Sequence, residues 1–283
     1  MENIPDAVVA FLGSPIESEE RLQGGMVSLT RRLKTKDERS VILKQCVTAP
    51  VGLYAAEAEG LKALTVDGGP RVPEVFSVGH DHLLLEDLGK SEPGEGYWET
   101  FGRQVAVLHS HGHDRFGFHH ENYLGLLPMD NTWSDDGHEF FARTRILRFL
   151  DEPHTLSVLT SDDRRAVESI ACRLPDLVPY QAPSLIHGDM WSGNMACSDD
   201  GRPAFLDPAA YYGWPEAELA MTAQYAGVEP PFFDAYREVH PLEPGWQDRL
   251  VLLQIRELLS MIAHTADEHG TVAKLREVLQ RFA

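Results

Sequence analysis

The chain of 283 residues lacks the features that mark membrane and secreted proteins. No apolar run approaches the roughly 20 residues that a membrane-spanning helix needs. The first residues, MENIPD, are acidic and do not show the basic and then apolar layout of a secretory signal. Cysteines are few and scattered, at Cys46, Cys172 and Cys197, which argues against a disulfide framework or a zinc cluster. We therefore expect a cytoplasmic protein with reduced thiols and no membrane partner.

Basic residues are also scarce. Lys and Arg together number 25 against 44 Asp and Glu, which gives a formal charge of −19. A chain of this charge repels the phosphates of nucleic acids and anionic lipids, so we expect neither as a partner. The charge is compatible with a cationic or amine-bearing substrate, although a solvated acidic surface explains it more simply. The P-loop pattern Gly-x-x-x-x-Gly-Lys-Ser/Thr is absent, which removes a common nucleotide-binding architecture.

Residues 1–86 have the character of a small sheet with one inserted helix. Alternating and apolar stretches predict strands at 22–33, 40–46, 72–78 and 82–86. Helical spacing predicts the inserted helix at 53–64, and a short helix at 4–11 precedes the sheet.

Helical patterns dominate after a loose segment that follows residues 86–89. They predict helices at 98–109, 137–150, 161–174, 216–226, 232–239, 243–264 and 272–282. The one strand-like interruption that we expect is the segment around residues 195–206. We therefore predict an α+β protein with two lobes: a small antiparallel-sheet lobe with one helix at 1–86, and a larger, mainly helical lobe at 87–283. The hinge falls near residues 86–89, and a nucleotide would bind between the lobes.

The most informative segment reads HGDMWSGN at 187–194 and is followed by DPA at 207–209. The spacing of Asp189, Asn194 and Asp207 matches the catalytic loop and metal-binding aspartate of kinases. Phosphoryl transfer from ATP needs a carboxylate that accepts the proton of the attacking hydroxyl, here Asp189. It also needs oxygen ligands that hold Mg²⁺ on the phosphates, here Asn194 and Asp207. Two short strands at 195–198 and 203–206, around a turn, would bring Asp207 back beside Asn194.

A plainer interpretation of this segment is a turn rich in hydrogen-bonding residues, with Asn194 as a cap. A lone three-residue match would favour that interpretation. The several constrained positions in order, at the right spacing, favour the catalytic one.

Lys44 ends an apolar strand and is the candidate for a lysine that contacts the α- and β-phosphates. Glu57, in the next helix, can pair with it and orient it. Taken alone, both are better explained as surface residues, and only the downstream segment favours the functional interpretation. Gly24 and Gly25 would let the backbone approach the phosphates, but a hairpin turn explains them equally well.

Glu86 and Leu88 stand where the backbone of the hinge would meet the edge of an adenine. The plain alternative is a strand terminus. Five histidines also crowd residues 109–120, at His109, His111, His113, His119 and His120. Metal binding is the alternative there, but solvated and capping histidines at a helix end fit the spacing better.

The sequence resembles the fructosamine/ketosamine-3-kinase family, which is similar to aminoglycoside phosphotransferases. The resemblance extends from about residue 24 to about residue 221. The matching segments are HGDMWSGN at 187–194, DPAAYYG at 207–213, EAELAM at 216–221, EAEGLKAL at 57–64, FGRQVAVLH at 101–109, FGF at 116–118, NYLG at 122–125 and NTW at 131–133. The WSGN and YYG parts distinguish this family from aminoglycoside kinases in general.

The resemblance implies a protein-kinase-like fold and an ATP- and Mg²⁺-dependent transfer of phosphate to the 3-hydroxyl of a ketosamine, either small or protein-bound. The phosphorylated adduct is unstable, so such enzymes repair glycated amines. In this chain the resemblance implies Asp189 as the base, Asn194 and Asp207 as Mg²⁺ ligands, and Lys44 paired with Glu57 as the phosphate clamp.

Two positions depart from the family pattern. Met26 stands where some members carry a cysteine linked to redox-dependent dimerisation, so we do not transfer that regulation. Glu218 replaces an aspartate that usually supports the catalytic loop. The oligomeric state is open, with a monomer favoured.

Other functions remain open at this stage. The first alternative is a related kinase of the same fold acting on an aminoglycoside, choline or another amino alcohol. The second is a catalytically inactive binding protein. Intact Lys44, Asp189, Asn194 and Asp207 argue against the second.

Overall fold

The computed structural model describes residues 4–22, 28–46, 48–225 and 227–282. Its N-terminal part contains a mixed helix and strand arrangement around one antiparallel sheet. The sheet strands are β1 (Ile16–Arg21), β2 (Leu29–Thr35), β3 (Ser40–Gln45), β4 (Val75–Val78) and β5 (His82–Glu86), in the order β1-β2-β3-β5-β4. Two helices accompany it, α1 (Asp6–Leu12) and α2 (Leu53–Leu64).

The alternation of side chains along the strands builds two small cores, one on each face of this sheet. On one face Leu33, Val41, Leu43 and Leu84 pack against α1. On the other face Leu83 and Leu85 of β5 pack against α2. This second face carries Lys44, so the lysine points toward α2 and the rest of the molecule.

The predicted sheet is confirmed, but the bounds predicted for its first strand, 22–33, are wrong. The strand expected at 22–33 is represented by β2, which begins at Leu29, and β1 was not foreseen. The sequence of β1 is IESEER, and nearly all of it is exposed, so it has no apolar alternation that a pattern could reveal. Gly24 and Gly25 lie outside the described residues.

The C-terminal part is mainly helical and holds the largest core. Its helices are α3 (Tyr97–His109), α4 (Gly137–Phe141), α5 (Pro153–Val158), α6 (Ser161–Leu177), α7 (Pro215–Tyr225), α8 (Pro230–Val239), α9 (Trp246–Leu253), α10 (Ile255–Thr265) and α11 (Thr271–Phe282). Its short strands are β6 (Asn122–Leu124), β7 (Leu127–Met129), β8 (Ser184–Ile186), β9 (Met195–Cys197), β10 (Pro203–Phe205) and β11 (Tyr211–Gly213). None of the described helices is long and apolar enough to cross a membrane.

Three predictions about this part are wrong. The helix expected at 137–150 becomes π-helical at Ala142–Ile146 and 3-10 helical at Leu147–Asp151, where the buried Arg145 side chain turns inward to bond Asn131. The helix expected at 243–264 breaks at Gln254 into α9 and α10. Gln254 keeps helical backbone angles, φ −58° and ψ −16°, so the interruption is a single residue between two buried helical segments. The β6–β7 hairpin and the β8–β11 pair also add strands outside the segment at 195–206, because three-residue strands are too short to show alternation.

Candidate active site

Two small antiparallel pairs bring the HGDMWSGN and DPA segments together. β8 pairs with β11, and β9 pairs with β10 as the predicted hairpin, which is confirmed to within one residue at each strand end. At the turn after β8 the backbone of Gly188 has a φ of +83°, and a Cβ there would lie 2.1 Å from the carbonyl oxygen of Ala209. The two segments therefore touch so closely that only glycine fits at this position.

Asp189, Asn194 and Asp207 lie side by side and are linked by hydrogen bonds from Asn194. Nδ2 of Asn194 donates to Oδ2 of Asp189 at 2.8 Å and to its carbonyl oxygen at 2.9 Å. The amide of Leu206 donates to the carbonyl oxygen of Asn194 at 2.9 Å. The next residue, Asp207, has a φ of +52°, the left-handed region that Asp tolerates better than most residues. The proximity predicted from the spacing is confirmed.

Lys44 bridges the sheet and this loop. Its Nζ lies 2.7 Å from Oε1 of Glu57 in α2 and 2.9 Å from Oδ1 of Asp207. The lysine is buried. Burial alone would lower the pKa of Lys44, but the two carboxylates outweigh it and raise the pKa. The ammonium is therefore held charged between α2 and the DPA segment.

The carboxyl of Asp189 has an unusual proton affinity. Burial raises the pKa of Asp189 to about 7, against the opposing effect of the Arg256 guanidinium. A carboxyl with a pKa near neutrality is well suited to accept a proton during a reaction.

Glu218 holds the start of the loop from behind. Its carboxylate accepts the amide of His187 at 2.8 Å, the amide of Gly188 at 2.6 Å, and Nε2–H of His109 at 3.0 Å. Tyr236 in turn contacts Nδ1 of His109 at 2.8 Å. Burial would raise the pKa of Glu218, but these hydrogen bonds and the histidine lower it, so it stays an anionic acceptor. The glutamate thus supports the loop, as the resemblance implied for the aspartate that it replaces.

The predicted histidine cluster separates into different environments. His109 is fully buried in the network of Glu218, and Nδ1 of His111 binds the carbonyl oxygen of Val107 at the end of α3. Within the described ranges, no group of three or more His, Cys, Asp and Glu residues is placed to hold a metal ion.

The hinge residues lie at the end of β5. Oε1 of Glu86 accepts from Nη2 of Arg71 at 2.5 Å, and Leu88 is buried. The carbonyl oxygen of Leu88 accepts the amide of Asp199 at 2.9 Å, which ties the hinge to the β9–β10 turn. Gly24 and Gly25 cannot be placed because they fall outside the described residues.

Several residues around the site were missed by sequence reasoning. Trp191 leaves 40% of its surface exposed two positions after Asp189, an unusual exposure for so large an aromatic side chain. Arg256 and Glu257 lie behind the loop, although nothing in their helical spacing marks them. For Trp191 the signal was present, since it stands within the motif; for the pair in α10 there was none.

A small antiparallel sheet with a Lys–Glu pair, facing a helical part that carries an Asp–Asn–Asp constellation, defines a phosphotransferase with the protein-kinase-like fold. The solved aminoglycoside phosphotransferase APH(4)-Ia supports the fold alone, at a TM-score of 0.66 and 15% identity over 98% of both chains. The predicted fold class is confirmed, and the chain is an enzyme of this class.

The family follows from closer matches. The sequence model described as fructosamine kinase matches residues 1–281. A candidate ketoamine kinase of Enterococcus faecium is 34% identical over 92% of this chain and 93% of its own length. The chloroplastic protein-ribulosamine 3-kinase of Oryza sativa subsp. indica is 31% identical over 80% of this chain and 68% of its own length. A crystal structure of a candidate fructosamine-3-kinase from Thermobifida fusca has a TM-score of 0.86 and 33% identity, and covers 97% of both chains. The chain belongs to the fructosamine kinase family.

Proposed function

We propose that this enzyme transfers the γ-phosphoryl group of ATP to the 3-hydroxyl of a ketosamine. The observation that carries the proposal is the continuous contact from Glu57 through Lys44 to Asp207, with Asn194 and Asp189 alongside. The relatives named as ketoamine and ribulosamine kinases support the choice of acceptor. The amine that bears the sugar belongs either to a small molecule or to a protein.

In this proposal Asp189 accepts the proton of the attacking hydroxyl as the oxygen–phosphorus bond forms. Its raised pKa suits this role at neutral pH. The hydrogen bond from Nδ2 of Asn194 holds the carboxylate in a fixed direction. Lys44 contacts the phosphates of the nucleotide, and Glu57 fixes the direction of the ammonium.

The donor set fits a magnesium ion. Because Nδ2 of Asn194 is engaged with Asp189, its amide oxygen is the atom left for a metal, and Asp207 adds a carboxylate. Both are the hard oxygen ligands that Mg²⁺ prefers. When bound, the ion would neutralise charge on the phosphates of ATP.

The remaining nucleotide contacts are proposed from position. The backbone at Glu86 and Leu88 would meet the adenine edge, and the backbone at Gly24 and Gly25 would approach the phosphates. Residues 1–86 would form the nucleotide-binding lobe and 87–283 the catalytic and substrate lobe. The exposed indole of Trp191 offers a face on which a sugar or an amine can dock near Asp189.

The cellular compartment, the oligomeric state and the excluded partners are also proposed. The thiols Cys46, Cys172 and Cys197 are free, which fits a reducing cytoplasm. We further propose that the protein acts as a monomer and binds neither nucleic acid nor membranes, in keeping with its net charge of −19.

An ADP-release assay with Mg²⁺-ATP tests the proposal directly. The acceptors are a fructosamine, a ribulosamine, an erythrulosamine, an aminoglycoside and choline. We expect turnover on at least one ketosamine, and phosphate on its 3-hydroxyl by NMR. Turnover on the aminoglycoside or choline alone would replace the proposal with the related amino-alcohol kinase.

A further inference from the structure

A buried ion pair at the start of α10 contacts the catalytic loop from behind. Arg256 and Glu257 are 4% and 5% exposed. Nη1 of Arg256 donates to both carboxylate oxygens of Glu257, at 2.5 and 2.6 Å. Nη2 of Arg256 donates to the carbonyl oxygen of Gly188 at 2.9 Å. One planar guanidinium therefore joins α10 to the residue before the proposed base.

The contact acts on the peptide unit that leads into Asp189. Arg256 holds the oxygen of this unit, and its N–H, which belongs to Asp189, donates to Nδ1 of His187 at 3.2 Å. Nε2–H of His187 donates to the carbonyl oxygen of Leu206 at 2.9 Å, so the imidazole is fixed as well. Because a peptide unit is planar, holding both of its polar atoms fixes the direction in which the chain enters Asp189.

We propose that Arg256 is a positioning residue for phosphoryl transfer, which sets the orientation of Asp189 through the carbonyl oxygen of Gly188. The proposal rests on the proposed function, since Asp189 is taken there as the base. It complements the action of Glu218, which holds the N–H of the same glycine at 2.6 Å. Helix α10 thus contributes to the reaction although it carries none of the family motifs.

The Arg256–Glu257 pair is better suited to position the catalytic loop than to stabilise the fold. A buried ion pair loses hydration that its attraction only partly offsets, and apolar residues of similar volume often serve as well or better. Loss of alignment has a much larger effect on rate, since a displacement of about 1 Å can lower it about a hundredfold. We therefore expect the pair to matter more for kcat than for folding.

The chain contains a matched control. Nε and Nη2 of Arg249 in α9 bind Glu216 in α7 at 2.6 and 2.7 Å, and this pair is buried too. The remaining hydrogen bonds of Arg249 go to the carbonyl oxygens of Glu243 and Pro244. Arg249 therefore has the same chemistry but none of its hydrogen bonds reaches the catalytic loop.

The first test compares R256K with R249K. Lysine keeps the charge but carries its donors on one nitrogen, so it cannot span Glu257 and Gly188 together. For R256K we expect kcat to fall about tenfold or more, with the KM for ATP within about twofold of wild type. R249K should keep the wild-type kcat. Wild-type kcat in R256K, or an equal loss in R249K, would overturn the proposal.

A second pair of variants removes the charges. R256M/E257L replaces the pair by apolar volume and should retain the melting temperature, as should R249M/E216L. Hydrogen–deuterium exchange of peptides covering residues 184–194 should become faster in the first variant and not in the second. Unchanged exchange in a folded R256M/E257L would contradict the positioning role; if this variant does not fold, R256K decides.

The exchange measurement also separates the two proposals. A wild-type enzyme that phosphorylates no ketosamine would refute the proposed function. The exchange rates would still decide whether Arg256 holds the loop, since they need no substrate.

Discussion

The two sides of the catalytic loop are built differently. On the side that faces Lys44, here called the cleft side, contacts run from Lys44 to Asp207 and on to Asn194 and Asp189. The hydrogen bond between Asn194 and Asp189 joins residues only five apart in sequence. On the rear side the loop is held by buried charged groups from distant helices, with Arg256 reaching Gly188 across 68 residues. In the proposed mechanism the cleft side supplies the groups that react, whereas the rear side fixes the backbone that carries them. The proposal therefore assigns chemistry and geometry to different elements.

The largest effect is expected on the cleft side, from D189N. Asparagine keeps the shape of the side chain but cannot accept the hydroxyl proton, so kcat should fall by at least about a hundredfold. Steady-state turnover on the best ketosamine measures this, and ATP affinity serves as the control. Activity within a few-fold of wild type would remove Asp189 from the role of base.

The melting temperature of the same variant tests the direction of the pKa shift of Asp189. Burial raises the pKa of Asp189 to about 7, above the value of an unfolded aspartate. Ionised Asp189 is therefore less favourable in the folded chain, and this cost is present above pH 7 and absent at low pH. Without Mg²⁺ at pH 8, D189N should melt at the same temperature as wild type or higher.

A smaller effect is expected from D207N, which tests binding and not the chemical step. Asparagine tolerates the φ of +52° at this position but removes the charge that contacts Lys44. We expect the Kd for Mg²⁺-ATP to rise by at least about tenfold. Loss of a residue that only hydrogen-bonds to a metal ligand already weakens metal binding by about that factor. Calorimetric titration measures it, and ATP in EDTA is the control. Equal affinity with Mg²⁺ would argue against Asp207 as a ligand.

The contrast between the two sides also explains how much could be predicted from the sequence. The spacing of Asp189, Asn194 and Asp207, and the helix that carries Glu57, were predictable because these contacts follow from local chain geometry. The small sheet and the mainly helical part that follows it were predictable from the change in periodicity near residue 86. Roles for these residues remain proposals, but their proximity is confirmed.

The rear contacts were not predictable because they depend on how distant helices pack. Arg256 looks like any charged residue on a helix, and only the packing of α10 against the loop brings its guanidinium to the carbonyl oxygen of Gly188. His109 likewise looked like one member of a cluster of histidines, and only the approach of α7 gives it a partner in Glu218. Side chains such as these become informative only when the tertiary structure is known.

The smallest effect is expected far from the loop, at Asp163, and it should be limited to stability. Its carboxylate accepts Nε and Nη2 of Arg276, at 2.9 and 2.8 Å, and caps α6 by accepting the amide and hydroxyl of Thr160. The Arg276 hydrogen bonds lower the pKa of Asp163 despite its burial. A lowered folded pKa gives stability that is present above the unfolded pKa and is lost as the pH falls.

D163N should therefore lower the free energy of unfolding at pH 7 by about 1 kcal/mol or somewhat more, the usual value of a helix cap. That corresponds to a fall in melting temperature of about 2–4 °C, and kcat at 25 °C should stay at the wild-type value. The difference in melting temperature between D163N and wild type should shrink as the pH is lowered toward 3, because protonation removes the same charge from wild type. A difference that is independent of pH would show that packing, and not the charge of Asp163, stabilises α6. A loss of kcat would show that structural ion pairs far from the loop also set its geometry, and would remove the distinction drawn between the rear contacts and the rest of the fold.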